Sequence, residues 1–446
     1  MPLINKDQPS RLGASRQGLP SLPEVHASIE VPEGAGFWKK MRAFIGPGLM
    51  VAVGYMDPGN WATDIEGGSR FGYTLLSVIL ISNVFAMLLQ HLALKLGIAT
   101  GRDLAQACRD YYSRPVAFGL WVLCEIAIAA TDLAEVIGSA IALNLLFGMP
   151  LPMGVVLTGF DVLLILYFQH KGFRVLESIV GGLIAIILVS FLYEMFISQP
   201  SMSGILGGLV PQTQIVTDSS MLYVAIGILG ATVMPHNLYL HSSIIQTRAY
   251  KQDEVSKKSA IKFATIDSTV SLAVAFVINA SILILAAAAF HGNGHFGVAD
   301  ITDAYHLLDP LLGVKLASIF FAVALLASGQ NSTLTGTLAG QIVMEGFLNL
   351  RLKPWLRRLI TRLIAIVPAL VVAILYGERG ATELLVLSQV ILSLQLSFAV
   401  VPLVMFTSNK GLMGRFANSR ALTALSWVIA LIIMILNGYL LLDTFI

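Results

Sequence analysis

Two short stretches of the chain carry side chains that could hold a cation. One reads Gly54-Tyr55-Met56-Asp57-Pro58-Gly59-Asn60, the other Ala231-Thr232-Val233-Met234-Pro235-His236-Asn237. Aligned on Pro58 and Pro235, they pair Asn60 with Asn237 and Asp57 with Met234. Each proline lacks an N–H and clashes with the carbonyl four residues earlier, so each predicts a helix break. Gly59 weakens the first helix further. Asp57 supplies a carboxylate, expected at the C-terminal end of a half-helix, where the dipole favours positive charge. Asn60 adds an amide oxygen, unwinding would release the carbonyls of Gly54 and Ala231, and Met234 adds a thioether. Na⁺, Mg²⁺ and Ca²⁺ prefer shells made of oxygen alone, whereas Mn²⁺, Fe²⁺, Co²⁺ and Cd²⁺ accept sulfur beside carboxylate. The mixed set therefore points to transition-metal chemistry. Methionine is also a common packing residue; its pairing with Asp57 across the alignment favours the ligand reading.

The elements that must position these residues follow from composition. Of 446 residues, 56% are hydrophobic and 12% charged, about half the charge of a soluble domain. Mean hydropathy is +0.79. Eleven hydrophobic segments are expected, at about 43–67, 72–97, 116–146, 151–169, 176–197, 220–246, 266–290, 313–346, 358–376, 382–406 and 423–442. Most approach the ~20 residues that cross a bilayer as a helix. They run apolar throughout rather than alternating, which disfavours a β-barrel. Residues 1–40 are polar, rich in Pro, Gly and Ser, and lack the apolar core of a signal peptide. They predict a disordered cytoplasmic tail, ahead of a transmembrane domain at 41–446.

Lysine and arginine set the orientation. All of the 28 except Arg70, Lys315 and Arg379 fall before the first segment or in every second connection after it. The N-terminus is expected inside and the C-terminus outside, whether extracellular or periplasmic, in the cell membrane. Five crossings separate the first and sixth segments, so they enter from opposite sides. Two five-helix units, about 43–197 and 220–406, each open with a broken helix, and a last helix follows at 423–442. That is the pattern of an inverted-repeat secondary transporter. Both breaks fall ~12–15 residues into their segments, near the bilayer midplane at 1.5 Å per residue.

A second group of side chains could move protons. Glu125, Asp132 and Glu135, seven and three residues apart, share one helical face. Carboxyls inside a membrane are costly and mark proton relays. Arg357 and Arg358 open segment nine and are available to pair with them. His236, beside Met234, titrates near neutrality when unperturbed. The alternative is a static set of salt bridges tying segments three and nine together, and both can hold at once. His241 is expected to hydrogen-bond inside the bundle, near the second break. Asp161 has no evident partner. Gln389 either approaches a bound ion or bonds to backbone.

These motifs, together with Thr131-Asp132-Leu133-Ala134-Glu135 and Gly336-Thr337-Leu338-Ala339-Gly340-Gln341, resemble those of the Nramp family of proton-coupled divalent-metal transporters. The similarity covers nearly everything after residue 40. It implies an all-α LeuT-like 5+5 inverted repeat with discontinuous helices one and six, plus an eleventh helix. It implies a metal site of Asp57, Asn60, Met234 and the carbonyls of Gly54 and Ala231, with Gln389 joining in an occluded state. Proton transfer falls by the same resemblance to Asp57, His236, Asp132, Glu135 and the arginines. The family often has Ala where Gly54 stands; a carbonyl ligand survives that change. The implied activity is import of Mn²⁺ or Fe²⁺, and also Cd²⁺ or Co²⁺, with H⁺ by alternating access.

Other classes fit less well. A sodium- or proton-coupled amino-acid transporter on the same scaffold would need half-helix N-termini bare for a substrate carboxylate, which Asp57 and Met234 oppose. No HExxH pair, nucleotide loop or Ser/His/Asp set suggests an enzyme, and paired breaks suit alternating access better than a passive channel. The net charge of +2 suggests no nucleic-acid partner. No cofactor and no obligate protein partner are expected beyond metal, protons and lipid. Cys108 and Cys124 are too few for a disulfide framework.

Overall fold

A computed structural model describes residues 20–161, 167–168, 171–313, 316–350 and 353–445. The chain is a helical bundle. In order, its main helices are α1 Phe37–Phe44, α2 Pro47–Ala52, α3 Pro58–Phe71, α4 Leu76–Thr100, α5 Leu104–Tyr111, α6 Arg114–Phe147 and α7 Leu151–Thr158. There follow α8 Phe173–Ser198, α9 Ser219–Thr232, α10 Pro235–Ile244, α11 Glu254–Ala289, α12 Ala317–Leu348, α13 Pro354–Leu375, α14 Gly377–Ser408 and α15 Arg420–Phe445. Among the described residues, eight helices are long and apolar enough to cross a bilayer, the α9–α10 pair counting as one. The first, fourth and ninth expected segments correspond to α2–α3, to α7 and to α13. The protein is a multi-pass membrane protein.

Burial is inverted relative to a soluble bundle. The surface of α13 shows Leu363, Ile364, Val367 and Val371, each about half exposed, while Arg362 on the same helix is 4% exposed. The interior holds Asp57, Asn60, Glu135, His236, Asn237, His241 and Gln389, all essentially inaccessible. Hydrocarbon offers polar groups no partners, so they must turn inward and find them in protein.

Both expected breaks are present. The first segment runs as α2, a 3₁₀ turn at Val53–Tyr55, and α3, with Met56 and Asp57 non-helical between them. The second leaves the helix at Val233 and Met234 and restarts at Pro235. Each proline occupies the first turn of the new half-helix, where its missing N–H is harmless and its fixed φ is already helical. Around the breaks, α12 packs along α6, α11 along α3, α4 and α2, and α14 along α6 and α9.

The expected disordered tail requires correction within its described part; residues 1–19 lie outside the described residues. Ser21 Oγ donates to Asp103 Oδ2 at 2.6 Å, and the Leu22 N–H to Glu345 Oε2 at 3.0 Å. Ile29–Glu30 pairs in parallel with Arg248–Ala249 just beyond α10. Composition missed this because few apolar groups are used: Leu22 and Ile29 are buried, and polar contacts do the rest.

At the same end, Arg248 ties the half-helices to the scaffold. Its Nη1 lies 2.7 Å from Glu177 Oε1 on α8, its Nε donates to the Ala43 carbonyl at 3.0 Å, and its Nη2 to the Ile45 carbonyl at 2.8 Å. Asp267 on α11 accepts from the Gly48 N–H at 2.7 Å, capping α2. Replacing Arg248 with Met leaves the buried Glu177 only the partly exposed Arg174 and removes a fully buried ion pair, which costs about 3 kcal/mol. Thermal unfolding in detergent should show a large loss for Arg248→Met. Arg415→Ala, which removes an exposed partner of Glu254, should cost at most about 1 kcal/mol. Equal shifts would contradict the asymmetry.

Candidate metal and proton site

Asp57 stands differently from the sequence expectation. It follows the C-cap of the 3₁₀ turn and is itself the N-cap of α3, with extended φ −72° and ψ 167°. Aspartate is a favoured N-cap and Pro58 a favoured first residue, so the local sequence starts a helix here rather than ending one. Oδ1 accepts from the Asn60 backbone N–H at 2.9 Å and from Asn60 Nδ2 at 2.7 Å. Oδ2 is buried and has no hydrogen-bond partner among the described residues. Asn60 Nδ2 also donates to the Ala231 carbonyl at 3.1 Å. An N–H donor thus sits where a carboxylate of one break and a carbonyl of the other converge.

The unwound backbone of the first break is met from two neighbouring helices. Asn279 on α11 donates to the Tyr55 carbonyl, and Ser328 Oγ on α12 to the Met56 carbonyl at 2.6 Å. Asn279 Nδ2 also lies 3.4 Å from Asn60 Oδ1, and Asn279 Oδ1 is a buried acceptor without a partner among the described residues. Neither Asn279 nor Ser328 was identified from the sequence. The available signal was a lone amide in an apolar stretch for Asn279; Ser328 is one of several hydroxyls on α12 and had none.

The remaining expected residues gather around this point. Gly54 faces Asn237, whose two polar side-chain atoms are buried and unpartnered among the described residues. Gly59 lies against the Gln389 amide, and a side chain at Gly59 would collide with it. Gln389 Nε2 donates to Ser388 Oγ at 2.9 Å, leaving Oε1 buried and unpartnered among the described residues. Met234 is the buried N-cap of α10 and packs with Ala127 and Leu392. His236 Nδ1 is 3.5 Å from Thr131 Oγ1, next to Asp132 on α6. His241 stands apart: its Nδ1 contacts Gln90 Oε1 at 3.0 Å, and Gln90 Nε2 donates to Tyr55 Oη at 2.9 Å. As expected, it bonds within the bundle.

A carboxyl of α6 meets an arginine that the sequence had not singled out. The side chains of Arg357 and Arg358 lie outside the described residues. Arg362, one turn beyond Arg358, donates to Glu135 Oε2 at 3.5 Å, to the Asp132 carbonyl at 3.4 Å and to Thr333 Oγ1 at 2.8 Å. Its Nη2 also meets Asp161 at 3.2 and 3.0 Å, giving that orphan residue a partner. The sequence reading counted Arg362 with the cytoplasmic basic cluster; its i+4 spacing from Arg358 was the overlooked signal. Glu125 lies outside this cluster, partly exposed, with its Oε1 accepting from Trp121 Nε1 at 3.0 Å.

A family model described as natural resistance-associated macrophage protein-like matches residues 48–443. The chain belongs to the Nramp family. Nramp proteins are transporters, not enzymes. A divalent metal cation transporter MntH from Listeria monocytogenes is 63% identical over 444 residues, covering 99% of each chain. One from Nostoc is 63% identical over 425 residues, 95% of this chain and 96% of that one. Among solved structures, a manganese transporter from Eremococcus coleocola superposes with a TM-score of 0.88 at 45% identity, covering 94% of this chain and 90% of that one. Mhp1, a nucleobase-cation symporter, matches at 15% identity with a TM-score of 0.60, over 87% and 90% of the two chains, and so shows the fold alone.

The polar side chains that serve the break can be tested by stability. Ser328→Ala should leave the buried Met56 carbonyl unpaired and cost about 1–3 kcal/mol. Unfolding of the purified variant at the wild-type temperature would show that this carbonyl is satisfied elsewhere.

Proposed function

We propose that the protein imports divalent transition-metal ions, Mn²⁺ or Fe²⁺, together with protons, by alternating access around the two breaks. One observation carries this reading: Asp57 Oδ1 and the Ala231 carbonyl converge from different breaks on a single donor, Asn60 Nδ2. Two acceptors from different half-helices repel one another unless a positive group lies between them. A half-turn of the Asn60 amide would replace that donor with Oδ1, giving three converging oxygens that only a cation can reconcile. The Gly54 carbonyl, Met234 sulfur and Gln389 Oε1 complete the proposed ligand set. The names of close relatives, divalent metal cation and manganese transporters, agree with that chemistry.

Proton coupling in this reading runs from Asp57 and His236 through Thr131 to Asp132, Glu135 and Arg362. Glu125 is an outlying carboxyl of the same helix. The His236–Thr131 contact supports a link between metal site and α6. Lysine and arginine placement supports a cytoplasmic N-terminus and an external C-terminus. The direct test is Mn²⁺ uptake into proteoliposomes with internal pH recorded in the same trace. Uptake accompanied by acidification supports the reading, whereas uptake without proton movement removes the coupling.

Capping and ligation by Asp57 can be separated. Asp57→Ser keeps a good N-cap, so its stability should stay within about 1 kcal/mol of wild type. Its Mn²⁺ binding, measured by calorimetric titration, should nevertheless be lost. Near-normal binding would make Asp57 a structural cap only. Met234 sets a different property. Ca²⁺ and Mg²⁺ gain nothing by exchanging a hydration oxygen for sulfur. Met234→Ala should therefore keep appreciable Mn²⁺ uptake, weaken Cd²⁺ more, and newly admit Ca²⁺ in competition assays. An unchanged ratio of Ca²⁺ to Mn²⁺ inhibition would return Met234 to packing alone.

A further inference from the structure

Among the described residues, three carboxyls lie around Arg362. Asp132 and Glu135 come from α6, and Asp161 follows α7. The helix α12 brings no charge to this face: it contributes the Thr333 hydroxyl, the Ser332 hydroxyl beside Glu135, and Gly336, where a side chain would press on Glu135 Oε1. The guanidinium is not shared evenly. Nη2 reaches both oxygens of Asp161, at 3.2 and 3.0 Å, while the contact from Nη1 to Glu135 Oε2 is longer, at 3.5 Å. Glu135 Oε1 is buried with no partner among the described residues. Arg362 and Glu135 are 4% and 0% exposed, and the Asp161 side chain 7%.

A buried carboxylate held closely by one arginine is a fixed ion pair, and breaking it strands a charge. To relay protons, a carboxyl must alternate between −1 and 0 without that penalty. We propose that Asp161 is a positioning residue for proton transfer: by taking the guanidinium of Arg362, it keeps Glu135 from locking into a permanent ion pair. Each cycle then loads one proton on Glu135 and releases it, while the Arg362–Asp161 pair stays neutral throughout. Without the Asp161 charge, Arg362 settles on Glu135, which stays ionised and stops cycling. The inference rests on the proton-coupled reading above and adds to it a carboxylate from a third element.

The test uses Asp161→Asn, Asp161→Ser and Asp161→Glu in proteoliposomes, with Mn²⁺ uptake and internal pH recorded together and Mn²⁺ binding measured by calorimetry. The neutral variants should bind Mn²⁺ as wild type does. Their proton flux should fall roughly tenfold or more, and the pH dependence of uptake should flatten. Asp161→Glu should restore both. A neutral variant with wild-type proton flux and pH profile overturns the proposal. So does loss of Mn²⁺ binding in step with flux, or failure of both neutral variants to fold while Asp161→Glu folds, because the carboxylate would then be a structural tie. Wild-type uptake without any proton flux overturns the coupled reading itself, and this inference with it. A proton-coupled wild type with an indifferent Asp161→Asn overturns this inference alone.

Discussion

Where no water is at hand, a peptide N–H or C=O without a partner costs several kcal/mol. Breaking two helices at bilayer depth exposes such groups deliberately, and the rest of the structure is arranged around meeting that demand. Asp57 caps the N–H groups that open α3. Asn279 and Ser328 cap the carbonyls of Tyr55 and Met56. Beside the breaks, Asp57 Oδ2, Asn279 Oδ1, Gln389 Oε1 and both polar atoms of Asn237 are left without partners among the described residues, and Asn60 makes the crossing contact to Ala231.

Charge organises the molecule on two further levels. Near the end of α10, Arg248 joins Glu177 to the carbonyls that precede α2, so the first half-helix, the strand pairing beyond α10 and the scaffold helix α8 meet at one guanidinium. Beside α6, Arg362 gathers carboxyls from two other elements at a distance from the breaks, linked toward them by Thr131 and His236. The first cluster is made almost entirely of good ion pairs and carbonyl contacts, as a tie should be. In the second, one guanidinium is divided unevenly between Asp161 and Glu135, which suits a carboxyl that must change charge.

Much of this was legible in the sequence. Long apolar runs, alternating basic connections and two matched prolines were enough for a broken inverted repeat, because membrane burial leaves few alternatives to helices. Asp57, Asn60, Met234 and Gln389 were legible as polar or sulfur atoms where such atoms are rare. Three things were not. That Asp57 caps α3 depends on which side of Pro58 the helix restarts, a matter of two residues. Arg362 and Asp161 were each seen and left unpaired, since pairing across four helices is a property of packing and not of spacing. Residues 20–36 look disordered by composition, yet they dock through buried hydroxyl and backbone contacts that leave no apolar periodicity to read.

The claim on which the account turns is that a transition-metal cation binds between the two breaks, on Asp57 and the Ala231 carbonyl. Crystals soaked in Mn²⁺ and measured at the manganese absorption edge test it most directly. The account predicts one dominant anomalous peak at roughly 2.2 Å from an Asp57 oxygen, with the Asn60 amide turned to present its oxygen. A dominant peak elsewhere, with Asn60 Nδ2 still bridging Asp57 and Ala231, would contradict it.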